Sequence, residues 1–110
     1  MQKYEIRITE HALSSLRDIS HYISIDLMSA QAAVNTLNTI QKSINSLDSF
    51  PARIPLTEEE PWHGLKVHKM ISGNFFIYFF IDEANARVQI TDVIYARRDQ
   101  KNALNSTLTE

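Results

Sequence analysis

The chain has 110 residues, 44% hydrophobic and 22% charged, with a formal net charge of −2; this suits one folded unit with a real core and argues against a protein that binds nucleic acid over its whole surface. The absence of cysteine excludes disulfides and thiolate metal sites. The start, MQKYEIRITEH, lacks an apolar signal-peptide core, and the longest apolar run, Phe75 to Ile81, is far short of the roughly 20 residues of a spanning helix, so a soluble cytoplasmic protein with no membrane association is expected.

Residues 3–8 alternate Tyr4, Ile6 and Ile8 against Lys3, Glu5 and Arg7, the two-residue period of a half-buried strand. Thr9 offers an N-cap, with Glu10 well placed in the first helical turn. Leu13, Leu16, Ile19 and Ile23 follow at helical spacing as one amphipathic stripe. The stripe breaks at 26–29, where Ser29 can cap a second helix whose seam is Ala33, Leu37, Ile40, Ile44 and Leu47. A short turn between two such helices predicts an antiparallel helical hairpin. The second helix should end near Ser49, since Pro51 disfavours helical geometry in the residue before it.

Residues 51–63 hold all three prolines and the acidic run Glu58–Glu60, which reads as a surface loop. Three strands follow: Leu65–Ile71, then Phe75–Ile81 after the turn Ser72-Gly73-Asn74, then Arg87–Ala96 after a turn over 82–86. The middle strand is apolar on both faces and should be central and covered. Residues 100–110 read as a frayed polar tail. The expectation is a single α+β domain over 1–110: an N-terminal strand, an antiparallel helical hairpin, and a three-stranded antiparallel meander forming one twisted sheet.

No Gly-rich phosphate loop or HExxH pair is present, and His11, His21, His63 and His68 stand at no familiar metal spacing; no metal and no cofactor are expected. Seven of the 11 Lys and Arg lie from Arg53 onward. One group is Lys66, His68 and Lys69, with His63 nearby. On a strand Lys66 and His68 share a face and Lys69 takes the other, a basic shelf in which Lys holds a phosphate and His moves a proton. Solvated residues on a wet strand face are the plainer reading. A second group is Tyr95, Arg97, Arg98 and Asp99 at the end of the last strand, where Arg suits bidentate contact with phosphate or carboxylate or forms a strand-end salt bridge. The aromatic run at 75–80 is read as core. Trp62 either anchors a partner or covers the sheet edge, and Glu58–Glu60 is read as a solvated acidic face, with a carboxylate base for RNA cleavage as the alternative.

The stretch HGLKVHKMISGNFFIYFFIDEANARVQITDVIYARRD, residues 63–99, resembles the second half of the RelE/ParE toxins of bacterial type II toxin–antitoxin systems, with VIYARRD as its most specific piece. YEIRITEHALSSLRDISHYI and LDSFP match the first half more loosely, so the resemblance covers about 4–104. It implies a small toxin neutralised by a cognate antitoxin. RelE-like members cleave mRNA on the ribosome without metal, using basic and polar residues; ParE-like members poison DNA gyrase and lack most of that set. Residue by residue, the resemblance gives Lys66, Lys69 and Arg98, with Arg97 beside it, as candidate catalytic residues; His68 joins them as a substitute acid or base, and Trp62 and Tyr95, from their own positions, are candidate partner-binding residues. The RelE-like pattern has an Arg where this chain has Phe76, and an aromatic hydroxyl near Leu104. The target, gyrase or ribosomal mRNA, stays open at this point. If the chain is an enzyme, a metal-independent endoribonuclease is implied. The alternative is a degenerate, non-toxic family member that only binds a partner protein.

Overall fold

Two hydroxyls start the two helices. The structure, a computed structural model, describes residues 3–96. Strand β1 (Glu5–Ile8) gives way to helix α1 (Glu10–His21) at Thr9. The Thr9 hydroxyl accepts from the Ala12 N–H at 3.2 Å and donates to the Ile90 carbonyl at 2.9 Å. One side chain therefore caps the helix and ties it to the sheet. Helix α1 runs into a wider π-helical turn, Tyr22–Asp26. Ser29 then caps α2 (Ala30–Asn45), accepting from the Ala32 N–H at 3.1 Å. Short 3₁₀ turns at Ser46–Asp48 and Pro51–Arg53 carry the chain out of the hairpin.

The sheet is ordered β1-β4-β3-β2, with β2 (His68–Ser72), β3 (Phe75–Asp82) and β4 (Arg87–Tyr95) forming the antiparallel meander and β1 pairing parallel with β4. Gly73 takes φ +59° in the β2–β3 turn, the left-handed region that Gly enters without strain. The α+β architecture thus follows the reading from sequence.

Cross-strand partners share a face, so the register sorts the sheet. His68, Met70 and Ser72 lie opposite Phe79, Ile77 and Phe75, and these oppose Ile90, Val93 and Tyr95. This side meets the helices: Ile77, Phe79, Val88 and Ile90 are fully buried with Ile40, Ile44 and Leu47 of the second helix and its 3₁₀ turn. Each such side chain stabilises the fold by roughly 1.5–3 kcal/mol. The Ser43 and Ser72 hydroxyls, 2.6 Å apart, tie α2 to β2. The other side carries Lys69, Ile71, Phe76, Tyr78, Phe80 and Ile94. Phe75 and Phe79 are core, as expected for the aromatic run, but Phe80 is 37% exposed.

A bulge between Tyr78 and Phe79 leaves Thr91 without a partner. Beside it, the Asp92 carboxylate reaches α1, accepting from the Ser15 hydroxyl at 2.6 Å and lying 3.2 Å from His11 Nε2.

The expected strand over Leu65–Ile71 is corrected at its start. β2 begins at His68; residues 58–66 turn, and Lys66 has φ +65°, which no strand accommodates. The supposed open loop also has structure. Leu56 bridges to His68, the Thr57 N–H donates to the Val67 carbonyl at 2.9 Å, and the Val67 N–H donates to the Trp62 carbonyl at 3.0 Å. Residues 57–67 thus form a strap closed on itself.

Candidate functional site

The strap lies over part of the sheet face that the helices leave open. Trp62, 47% exposed, sets its ring 6.4 Å from that of Tyr78, and Val67 is buried beneath. Beside this contact opens a concavity of about 530 Å³, walled by Trp62, Leu65, Phe76, Tyr78 and Ile94, with His11 and Asp92 also on its lining.

At its strap side one oxygen collects three donors. Glu59 Oε1 accepts from Lys69 Nζ at 2.9 Å, from the Tyr78 hydroxyl at 3.0 Å and from the Thr57 hydroxyl at 3.0 Å. The Lys69 ammonium is the largest influence on this carboxyl and holds it below its usual range; partial burial opposes the shift, and the two hydroxyls add to it. Lys69 Nζ also sits 4.1 Å from the centre of the Phe76 ring, within cation–π range. Position 76 therefore has no guanidinium, and its ring shares the cation next to it.

The predicted basic shelf does not assemble. Lys66 lies in the turn of the strap. His68 points to the helix side, stacked on Phe79 with ring centres 5.0 Å apart, and its Nδ1 is 2.6 Å from the Ile54 carbonyl. A carbonyl only accepts, so Nδ1 carries the proton there. Lys69 alone of the three reaches the concavity. Trp62 covers the sheet as one of its two readings allowed. Tyr95 lies on the helix side, its ring 4.7 Å from Phe75 and 5.9 Å from Tyr22; its contacts there are those of a packing residue. Arg97 and Arg98 lie outside the described residues. Sequence reasoning missed Thr57 and the joining of Glu59 to Tyr78 and Lys69. The acidic run was read as solvated, whereas Glu59 is tied to groups 10 and 19 positions away, a distance no local pattern encodes.

Among the described residues, no group of three His, Asp or Glu gathers to hold a metal ion, and no helix is long and apolar enough to cross a membrane.

A helix pair on one side of a four-stranded mixed sheet, with an aromatic concavity on the other, defines a small α+β fold of the RelE/ParE kind. The sequence carries the match to its family: residues 6–100 fit the profile of the ParE toxin of type II toxin–antitoxin systems, and the chain belongs to that family. The fold is similar to a chain in the chromosomal ParDE toxin–antitoxin system from P. aeruginosa, with TM-score 0.67 and 16% identity over 84% of this chain and 96% of that one. It is also similar to a chain in the RelBE2 toxin–antitoxin complex from Mycobacterium tuberculosis, with TM-score 0.61 and 17% identity over 86% and 93%. None of the curated proteins matches in sequence.

Proposed function

We propose that this chain arrests bacterial growth by acting on DNA gyrase, and that a cognate antitoxin silences it by binding. The family match supports a toxin, and the two similar folds come from toxin–antitoxin systems. The observation that carries the choice of target is the state of Lys69. Metal-free RNA cleavage needs several cations around the phosphate to stabilise charge in the transition state. Here Lys69 is the one Lys or Arg lining the concavity among the described residues, and Glu59 already neutralises it. Lys66 and His68 are placed elsewhere, and Phe76 stands where the ribonuclease pattern has Arg. A carboxylate, a phenyl ring and one paired ammonium form a poor cradle for a scissile phosphate.

The test is induced expression with and without the antitoxin gene, reading growth, mRNA integrity and plasmid topology together. The expected result is arrest with intact mRNA and altered supercoiling, relieved by the antitoxin. Arrest with mRNA cut on ribosomes and unchanged topology would overturn the reading of the target; soluble protein without any arrest would overturn toxicity itself. Lys66→Ala and Arg98→Ala should each leave mRNA integrity unchanged, since neither residue then serves a cleavage site; a ribonuclease would lose cutting in both.

A further inference from the structure

Glu59 sits at an address built for a carboxylate. Three donors from separate places, Lys69 on β2, Tyr78 on β3 and Thr57 at the base of the strap, converge on one oxygen. The carboxylate that fills the address comes from the strap itself, and its side chain is 44% exposed. It can therefore leave without the core opening. The donors stay behind, since Tyr78 is only 7% exposed and Thr57 only 2%. Next to the address lies the concavity walled by Trp62, Phe76 and Ile94.

We propose that Thr57, Lys69 and Tyr78 form a ligand-binding site for a carboxylate carried on an apolar body, and that Glu59 masks it until such a ligand displaces its side chain. The chemistry selects this class on two grounds. One cation and two hydroxyls on a single oxygen match one carboxylate oxygen, and a single cation leaves half the charge of a phosphate dianion uncompensated. The apolar walls then take up the body of the ligand, in the manner of small-molecule sites with few polar anchors. Both a free acid and an acidic side chain flanked by apolar ones have this chemistry. The inference does not depend on the toxin's target, and its test reads binding by the purified chain.

Trp62 is the protein's sole tryptophan and walls the concavity, so its emission reports a ligand seated there. The experiment titrates wild type, Glu59→Ala and the double variant Glu59→Ala with Lys69→Met against benzoate, its neutral isostere benzamide, and a blocked leucyl-glutamyl-leucine peptide. Removing the internal competitor should lower the half-saturating benzoate concentration by about tenfold or more, as expected for freeing one charge-assisted contact. Benzamide should show no such gain, and Lys69→Met should cancel it. Stronger binding of the peptide than of benzoate assigns the site to an acidic side chain of a partner; the reverse assigns it to a free acid. Should Glu59→Ala fail to fold, Glu59→Gln keeps an acceptor without the charge and carries the same expectation. Equal titration of wild type and the Glu59 variant, or of benzoate and benzamide, would overturn the proposal.

Discussion

Glu59 shows how much one carboxyl can do when its partners come from three segments. Its folded form binds a proton less readily than its unfolded form, because Lys69 and two hydroxyls stabilise the anion. The stability it contributes is therefore complete above the usual carboxylate value of 4.5 and is lost as pH falls through the lower folded value. The side chain is half exposed, so the contribution is below about 1 kcal/mol. Glu59→Gln should cost that much at pH 7 and less at pH 3, below the usual carboxylate value, read as urea midpoints at the two pH values. An equal cost at both would mean that the charge on Glu59 does not fasten the strap. The same pairing, 2.9 Å long, is what supports the proposed choice of gyrase over RNA.

At the scale of elements, the two helix caps are alike in type but unequal in duty. Ser29 only accepts, whereas Thr9 accepts from Ala12 and donates to Ile90. Ser29→Ala should destabilise by about 1 kcal/mol. Thr9→Ala should cost about another 1 kcal/mol through the lost hydrogen bond to the sheet, with Thr9→Ser recovering most of it in thermal melts. The link between the helices holds a different kind of opportunity. Met28 has φ +53° and is 87% exposed, so its side chain contributes little packing while its Cβ strains the backbone. Met28→Gly should stabilise by up to about 1 kcal/mol, the relief being partly offset by the entropy Gly loses on folding; a lower urea midpoint than wild type would refute it. Both caps, both helical stripes and the two turns of the meander were legible in the sequence because each is a local pattern. Leu65 to His68 misled for the same reason: apolar and polar residues alternate there as in a strand, yet Lys66 turns with positive φ. The division of Lys69 from His68 followed from the two-residue period once β2 was in place. The convergence on Glu59 did not, since it depends on how far the strap folds back over β3.

At the scale of the whole molecule, the sheet exposes two chemically different sides. One is sealed by the helices, with Phe79, Ile77 and Ile90 at its centre. The other is left partly open, and Ile71, 70% exposed on edge strand β2, is one of its apolar residues. A wet face with this much apolar surface is unusual for a chain that acts alone, and it agrees with the proposal that this toxin spends its silent life covered by a protein.

The pairing of β1 with β4 has a consequence for how the chain comes into being. Glu5 lies opposite Arg87 and Ile8 opposite Ile90, so β1 must wait for β4 before it has a strand neighbour. During synthesis from the N-terminus, β1 stays unpaired and β3 keeps a bare edge until β4 arrives. A chain broken off before Arg87 can build neither the sheet nor its open face, and such bare edges invite aggregation. A message cut short before the codon for Arg87 would thus yield aggregating fragments rather than a weakened poison, and the cell would meet the activity only in copies that carry β4.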